Sequence, residues 1–155
     1  MLFILFSAGD DLYGIAAGEV EEVVPFAQLK ALPQTHPALA GLLNFHGQPV
    51  PVLDLSQLLG GRPAETFLTT RILLCRGALA SAPERLLGLL AENAVATRDL
   101  DESAFRPPGA APPDAPHAGS VYEMPDGRYL QRIHPARILP AAVTRELLAQ
   151  IQEAA

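Results

Sequence analysis

The chain has 155 residues, of which 49% are hydrophobic and 18% charged, which suits one compact domain and excludes a disordered tail. Eleven Lys and Arg against seventeen Asp and Glu give a net charge of −6 without any basic cluster, which argues against nucleic acid as a partner. The single cysteine, Cys75, excludes an internal disulfide and fits a reducing compartment.

The apolar start of the chain, MLFILFSAGDD, does not have the pattern of an export signal. It lacks a basic region, and its apolar run ends before two aspartates. No window approaches the roughly eighteen consecutive apolar residues that a membrane-spanning helix needs. We therefore expect a cytoplasmic protein that does not insert into a membrane.

Short strands separated by turn residues are predicted for the first part of the chain. Leu2 to Phe6 and Leu12 to Ile15 flank the turn residues Gly9-Asp10-Asp11 and are predicted to form a hairpin. The Val and Glu residues from Val20 to Val24 predict another strand, which Pro25 ends.

The apolar stretch GLLNFHGQPVPVLDL predicts a second hairpin. Its strands, Leu42 to Phe45 and Val50 to Leu53, flank the turn His46-Gly47-Gln48. Pro49 and Pro51 lie two residues apart, so their missing N–H groups fall along one edge of the strand. Ordinary sheet pairing is blocked along that edge.

Asp54, which follows this hairpin, is predicted to cap a short helix. Gln57 stands three residues further on, as in a capping box, and Gly60-Gly61 end the helix. This pattern favours a structural role for the Asp54 carboxylate over a catalytic one.

The second half of the chain repeats the plan of the first. Arg71 to Cys75 predicts a strand, and Leu86 to Leu90 echoes the apolar pattern of Leu12 to Ala16 around a central glycine. The later stretch GRYLQRIHPARIL aligns without a gap with GQPVPVLDLSQLL and pairs Asp54 with His134. Two degenerate copies of one unit, each with about five short strands, predict two small barrels packed together.

Two further segments complete the predicted organisation. The tract from Asp99 to Ala118 holds five of the fifteen prolines and predicts a surface loop. The tail, residues 141–155, predicts a helix that docks on its own domain, because four apolar side chains share one face: Val143, Leu147, Leu148 and Ile151.

Candidate catalytic and metal-binding residues lack the companions that such chemistry needs. The four histidines, His36, His46, His117 and His134, show no metal-ligand spacing. Cys75 lies within an apolar strand, where a thiol behaves as a small buried hydrophobe. There is no glycine-rich phosphate loop, so we expect no enzymatic activity, no metal and no cofactor.

The motifs LYGI, EVEEVVP, GLLNFHGQPVPVLDLSQLLG, RILLC and LLGLL with AENAV, in this order, resemble the CheW-like domain. This is the fold of the chemotaxis coupling protein and of the end of the CheA kinase. The resemblance covers about 3–139. Its most specific part is G-x-x-N-x-x-G-x-x-x-P-V-x-D-L, met by Gly41, Asn44, Gly47, Pro51, Val52, Asp54 and Leu55.

The resemblance implies a mainly β fold of two SH3-like five-stranded β-barrel subdomains packed together, with short helices and a C-terminal helix. We expect a single CheW-like domain over 1–155. Its first subdomain would span about 3–60, its second about 70–140, and its C-terminal helix about 141–155.

The resemblance also implies a non-enzymatic adaptor that couples the cytoplasmic tips of chemoreceptors (methyl-accepting proteins) to a CheA-type histidine kinase. The first barrel would meet the CheW-like regulatory domain of the kinase, and the groove between the barrels would meet the receptor. The protein would be recruited to membrane-associated receptor arrays. The alternative is a CheW-like regulatory module that binds another adaptor or a response regulator, in an accessory chemosensory system with a non-motility output.

The resemblance assigns two groups of partner-contact residues. Val20 and Glu22 match the receptor-facing strand, Val20 as an apolar anchor and Glu22 at the polar rim, although a core role for Val20 stays open. Asn44, His46 and Gly47 match the signature hairpin as candidates for a partner contact. The usual Arg before the glycine is His46 here, so a contact to a carboxylate becomes weaker or dependent on pH.

Overall fold

The computed structural model describes residues 1–32, 36–107 and 119–154. Within these ranges the chain forms nine strands and two α-helices, which confirms the predicted mainly β composition. In chain order these are β1 (Leu2–Ala8), β2 (Asp11–Ala16), β3 (Glu22–Pro25), β4 (Leu39–Phe45), β5 (Gln48–Asp54), α1 (Leu55–Gly60), β6 (Arg71–Arg76), β7 (Leu86–Asp99), β8 (Val121–Glu123), β9 (Tyr129–Arg132) and α2 (Ala141–Ala154). Short 3₁₀ turns occupy Ala17–Glu19, Glu102–Ala104 and Pro135–Arg137.

The strands pair as two groups of five that share β7. Sheet I has the order β7-β1-β2-β9-β8, and sheet II has the order β3-β6-β7-β5-β4. The first part of β7, Leu86 to Ala91, pairs with β6 in sheet II, and the part from Glu92 to Asp99 pairs with β1 in sheet I. This double use explains why β7 extends far beyond the predicted strand Leu86 to Leu90.

The strand pairing does not follow the predicted division into 3–60 and 70–140. The hairpin β1-β2, from the start of the chain, pairs in parallel with β9 from its end, and β5 pairs in parallel with β7. Each sheet therefore combines strands from both copies of the repeat. Two parallel strands need a long connection between them, so β2 and β9, and likewise β5 and β7, come from distant parts of the chain. A single boundary in the sequence therefore cannot place each sheet on one side of it.

The internal repeat is visible in these two parallel pairs. Gly14 of β2 lies opposite Arg132, and Gly88 of β7 lies opposite Val52, which is the residue aligned with Arg132 in the repeat. A Cβ on Gly88 would lie 2.9 Å from Val52 Cγ2, so the absence of a side chain lets the neighbouring strand pack closely.

Three hydrophobic cores follow from the alternation of side chains along the strands. On β6, Ile72 and Leu74 face a core enclosed by sheet II, while Leu73 and Cys75 face a central core shared by both sheets. On β1, the side chains alternate in the same way between the central core and a third core, which belongs to sheet I. Both faces of the central strands are therefore buried.

The predicted closed barrels are not formed by continuous strand ladders. Among the described residues, a one-residue bridge from Lys30 to Leu42 links the segment after β3 to β4. A second one-residue bridge, from Arg106 to Val121, links the segment after β7 to β8. Pro25 ends β3 and Pro107 follows Arg106, and proline cannot donate a ladder hydrogen bond. The two sheets consequently stay open at these edges.

The C-terminal helix docks on its own domain, as predicted. Leu147 is buried in the central core, Val143 and Leu148 pack against that core, and Ile151 is also buried. Among the described residues, no helix combines the length and the apolar character needed to span a bilayer. Residues 108–118 of the proline-rich tract, with His117, lie outside the described residues.

Candidate partner-binding site

The signature hairpin joins β4 and β5 by a two-residue turn. His46 and Gly47 have φ angles of +51° and +83°, as in a type I′ turn, which matches the twist of the strands. Asn44 Oδ1 accepts a hydrogen bond of 2.9 Å from the Gly47 amide. The His46 ring is exposed and lies edge-on to the half-buried Phe45 ring, with centroids 4.2 Å apart. The turn thus presents an imidazole to solvent at the end of sheet II.

Val20 and Glu22 lie where the chain leaves sheet I for sheet II. Val20 is not part of β3, because the 3₁₀ turn Ala17–Glu19 precedes it and the Val20 amide donates to Ala17 O at 3.1 Å. Its side chain is half-buried and packs against the central core, while Glu22 is exposed at the first position of β3. Val20 therefore combines a packing contact with a partly accessible apolar surface.

A cleft of about 380 Å³ opens at Gly18 and Glu19, the two residues that precede Val20 in the chain. Gly18 and Glu19 form one wall, Arg76 at the end of β6 forms another, and the residues from His134 to Arg137 form the third. The cleft therefore lies at the junction of the two sheets.

One carboxylate, that of Glu19, organises the polar side chains around the cleft. Arg132 is 8% exposed and places Nη2 3.4 Å from Glu19 Oε1 and Nη1 3.2 Å from Glu102 Oε1. Its guanidinium also lies over the Phe3 ring, 5.3 Å from the centroid. His134 Nδ1 lies 3.6 Å from the same Glu19 oxygen. Glu19 is thus shared between an arginine and a histidine.

The environment of His134 favours its neutral form. Burial lowers the pKa of His134, Arg132 and Arg137 lower it further, and Glu19 opposes them. Because the unfolded chain takes up this proton more readily than the folded one, the folded state loses stability as pH falls below about 6.5.

We expect His134→Gln to remove this part of the pH dependence. The free energy of unfolding of the native protein, measured with urea above and below that pH, should fall more on acidification than that of the variant. Identical pH dependence of the two proteins would show that His134 titrates alike in both states.

Arg76, on the opposite wall, is held in place by Glu21. Arg76 Nε and Nη2 donate to the two carboxylate oxygens of Glu21 at 2.8 and 2.9 Å, a bidentate pair. The hydrogen bond from Arg76 lowers the pKa of Glu21. Both side chains are about half exposed, so the pair orients Arg76 rather than adding much stability.

Asp54 acts as a structural cap. Its carboxylate, 7% exposed as a residue, accepts from the Gln57 amide at 3.1 Å and from the Ala64 amide at 2.8 Å. Gly61, with φ of +72°, ends α1 in the left-handed conformation. The Asp54 carboxylate is therefore occupied by backbone amides.

Cys75 and His36 have structural surroundings in the fold. Cys75 is buried in the central core, and burial raises the pKa of its thiol to about 12. His36 Nδ1 accepts from the Ala38 amide at 3.1 Å. Throughout residues 1–32, 36–107 and 119–154, no group of three or more His, Cys, Asp or Glu could hold a metal ion.

The structure brings together residues that sequence reasoning left unassigned. The charged cleft residues Glu19, Arg76 and Arg137 come from segments far apart in the chain, as does Arg132, which contacts Glu19, and this separation hides their proximity in the sequence. One signal in the sequence pointed to this region: the repeat aligns His134 with Asp54, so a histidine takes the position before a helical turn that a capping aspartate takes in the other copy. Among the described hydrogen bonds and ion pairs, none joins Val20 or Glu22 to the turn at 44–47.

These features define a class, a mainly β protein of two related five-stranded sheets with a charged cleft at their junction. A family model of the CheW-like domain matches residues 2–143, and the chain belongs to the CheW-like domain family. Its fold is similar to that of the scaffolding protein TtCheW from Thermoanaerobacter tengcongensis, with 21% sequence identity over 90% of this chain and 87% of that chain, and a TM-score of 0.77. A comparison with curated proteins gives no match.

Proposed function

We propose that the protein is a non-enzymatic adaptor of bacterial chemosensory signalling, which couples the cytoplasmic tips of chemoreceptors to a CheA-type histidine kinase. The observation that carries the proposal is the CheW-like family match over nearly the whole chain. The scaffolding role stated for TtCheW is of the same class. The adaptor works in the cytoplasm and is recruited to membrane-associated receptor arrays.

Each partner is assigned a separate surface. Sheet II, with the exposed turn at His46 and Gly47, meets the CheW-like regulatory domain of the kinase, and the cleft with Val20 and Glu22 meets the receptor tip. In this proposal, sheet II has the role that the family resemblance gives to the first SH3-like barrel. Separate surfaces allow both partners to bind at the same time.

The receptor assignment rests on the character of the surface around Val20. A half-buried valine beside a cleft offers apolar contact at little entropic cost, because its side chain is already held by the central core. Glu22, exposed two residues further on, supplies polar contact at the rim. This is the arrangement of a small interface with one apolar anchor.

The His46 side chain favours a second candidate function. It is exposed at the turn and lacks the fixed charge and the bidentate geometry of the usual arginine. A regulatory module that binds another adaptor or a response regulator, in a system with a non-motility output, fits a changed contact at this turn.

Binding of a receptor signalling-tip fragment and of the kinase regulatory domain, each measured by calorimetry, tests the proposal. We expect both to bind at concentrations on the order of 10 µM. Val20→Thr, which keeps the shape of the side chain, should weaken receptor binding about tenfold, because the hydroxyl must lose water at the interface, and should leave kinase binding unchanged. A parallel loss of thermal stability and of both affinities would assign Val20 to the core, and binding to neither partner would contradict the adaptor role.

A further inference from the structure

The two copies of the repeat correspond residue by residue around the cleft. Gly14 and Gly88 are equivalent positions, 74 residues apart. The same offset relates Glu22 to Ala96: Glu22 pairs with Leu74 of β6, and Ala96 pairs with Leu5, the equivalent leucine of β1. The two copies therefore have the same number of residues between these matched positions, although the first copy forms a 3₁₀ turn where the second continues as β7. Each residue that borders the cleft in the first copy therefore has a defined counterpart in the second.

In the second copy, the counterpart of the cleft is filled by a carboxylate of the chain itself. Glu92 is the equivalent of Gly18, and its Oε1 accepts from Ser56 Oγ at 3.1 Å and from the Glu65 amide at 2.9 Å. Ser56 is the second residue of α1, and the segment after α1 supplies Glu65. An acidic side chain thus fits against the start of the short helix and is bound there.

In the first copy, the groups that would fill the cleft are missing. Gly18 has no side chain, and Ala136 stands where Ser56 stands in the other copy. After the equivalent turn the chain enters α2, and none of the described α2 residues lines the cleft. The position remains open to solvent as the cleft.

Two walls of this open cleft carry an arginine where the filled counterpart carries a neutral side chain, and the one carboxylate in its lining, Glu19, is already shared between Arg132 and His134. Arg137 stands in place of Gln57, and Arg76 stands in place of Ser7. Glu21 holds Arg76, whereas Arg137 is exposed and forms no ion pair with any described residue. A guanidinium that forms no ion pair within the described part of the chain, in a cleft lined by a second arginine, suits an incoming carboxylate.

We propose that the cleft binds an aspartate or glutamate side chain of a protein partner, held by Arg137 with Arg76 and His134 beside it. The partner's carboxylate takes the place that Glu92 occupies in the second copy. The identity of the partner, a receptor tip that docks beside Val20, rests on the proposed function. The chemical preference of the cleft is a property of this chain alone.

Gly18→Glu, with Gly18→Gln as the matched neutral control, tests this inference. A Cβ at Gly18 would meet no atom within 4 Å, so neither substitution clashes at its first side-chain carbon. The glutamate restores the internal carboxylate of the other copy and should reduce receptor-tip affinity by about tenfold to a hundredfold relative to the glutamine variant. Arg137→Gln should cause a loss of similar size, and binding of the kinase domain should stay unchanged in all three variants.

A second measurement separates this inference from the proposed function. The titration of His134, followed by NMR, should shift to higher pH in Gly18→Glu than in Gly18→Gln, because a carboxylate then lies beside the imidazole. If the native protein binds no receptor tip but this shift occurs, the carboxylate site stands and the receptor assignment is wrong. If the two variants titrate alike and bind the tip equally, the cleft has no preference for a carboxylate and the inference is overturned.

Discussion

Gly41→Ala is expected to lower the free energy of unfolding by about 3 kcal/mol. Gly41 has a φ of +149°, a region that side chains other than glycine rarely adopt. A Cβ there would lie 2.5 Å from the carbonyl oxygen of Lys30. That oxygen cannot move away cheaply, because it accepts from the Leu42 amide at 2.8 Å in the bridge that borders β4.

Urea unfolding of Gly41→Ala and of the control Gly60→Ala measures this effect. Gly60 lies in α1 with an ordinary φ, and an added Cβ would meet no atom within 4 Å. The control should therefore unfold at the same or a slightly higher urea concentration. Equal stability of both variants and the native protein would show that the first glycine of the signature is not required by the backbone.

The second large effect is expected in the central core. Leu89 is fully buried between the two sheets, and Leu89→Ala should lower the free energy of unfolding by about 3 kcal/mol, since it leaves a cavity that rigid strands cannot fill. Leu68→Ala is the matched control, because the same atoms are removed from a side chain that is 95% exposed. The control should change stability by less than about 0.5 kcal/mol.

The form of the transition carries further information. Because the central core joins both sheets, Leu89→Ala should shift one cooperative transition without splitting it. Two separate transitions would show that the sheets unfold independently and that the shared core contributes little.

Features set by neighbouring residues could be predicted from the sequence. The β1-β2 turn has two residues, Gly9 and Asp10, and the cap at Asp54 depends on an amide three residues away. In such cases the conformational preference of one or two residues decides the structure. The motif at 41–55 was specific for the same reason, since its glycines and prolines meet strict backbone demands.

Features set by distant residues could not be predicted in this way. The pairing of β2 with β9 joins segments more than a hundred residues apart, and the sharing of β7 between two sheets leaves no mark on its apolar pattern. The repeat indicated two equivalent units but not that they exchange strands. The charged cleft depends on that exchange, because it forms where the two sheets meet.

The same distinction between local and long-range causes applies to the site residues. The exposure of His46 followed from its place in a two-residue turn, whereas the position of Val20 depended on a 3₁₀ turn that the sequence did not indicate. Glu19 gained its importance from Arg132 and His134, which the fold brings to it from the other end of the chain.

We propose that this protein joins two partners through separate surfaces. Sedimentation of the protein mixed with a receptor signalling-tip fragment and the kinase regulatory domain tests it most directly. We expect one complex that contains all three components and that does not form when this protein is left out. Mutually exclusive binding of the two partners, or no association with either, would contradict it.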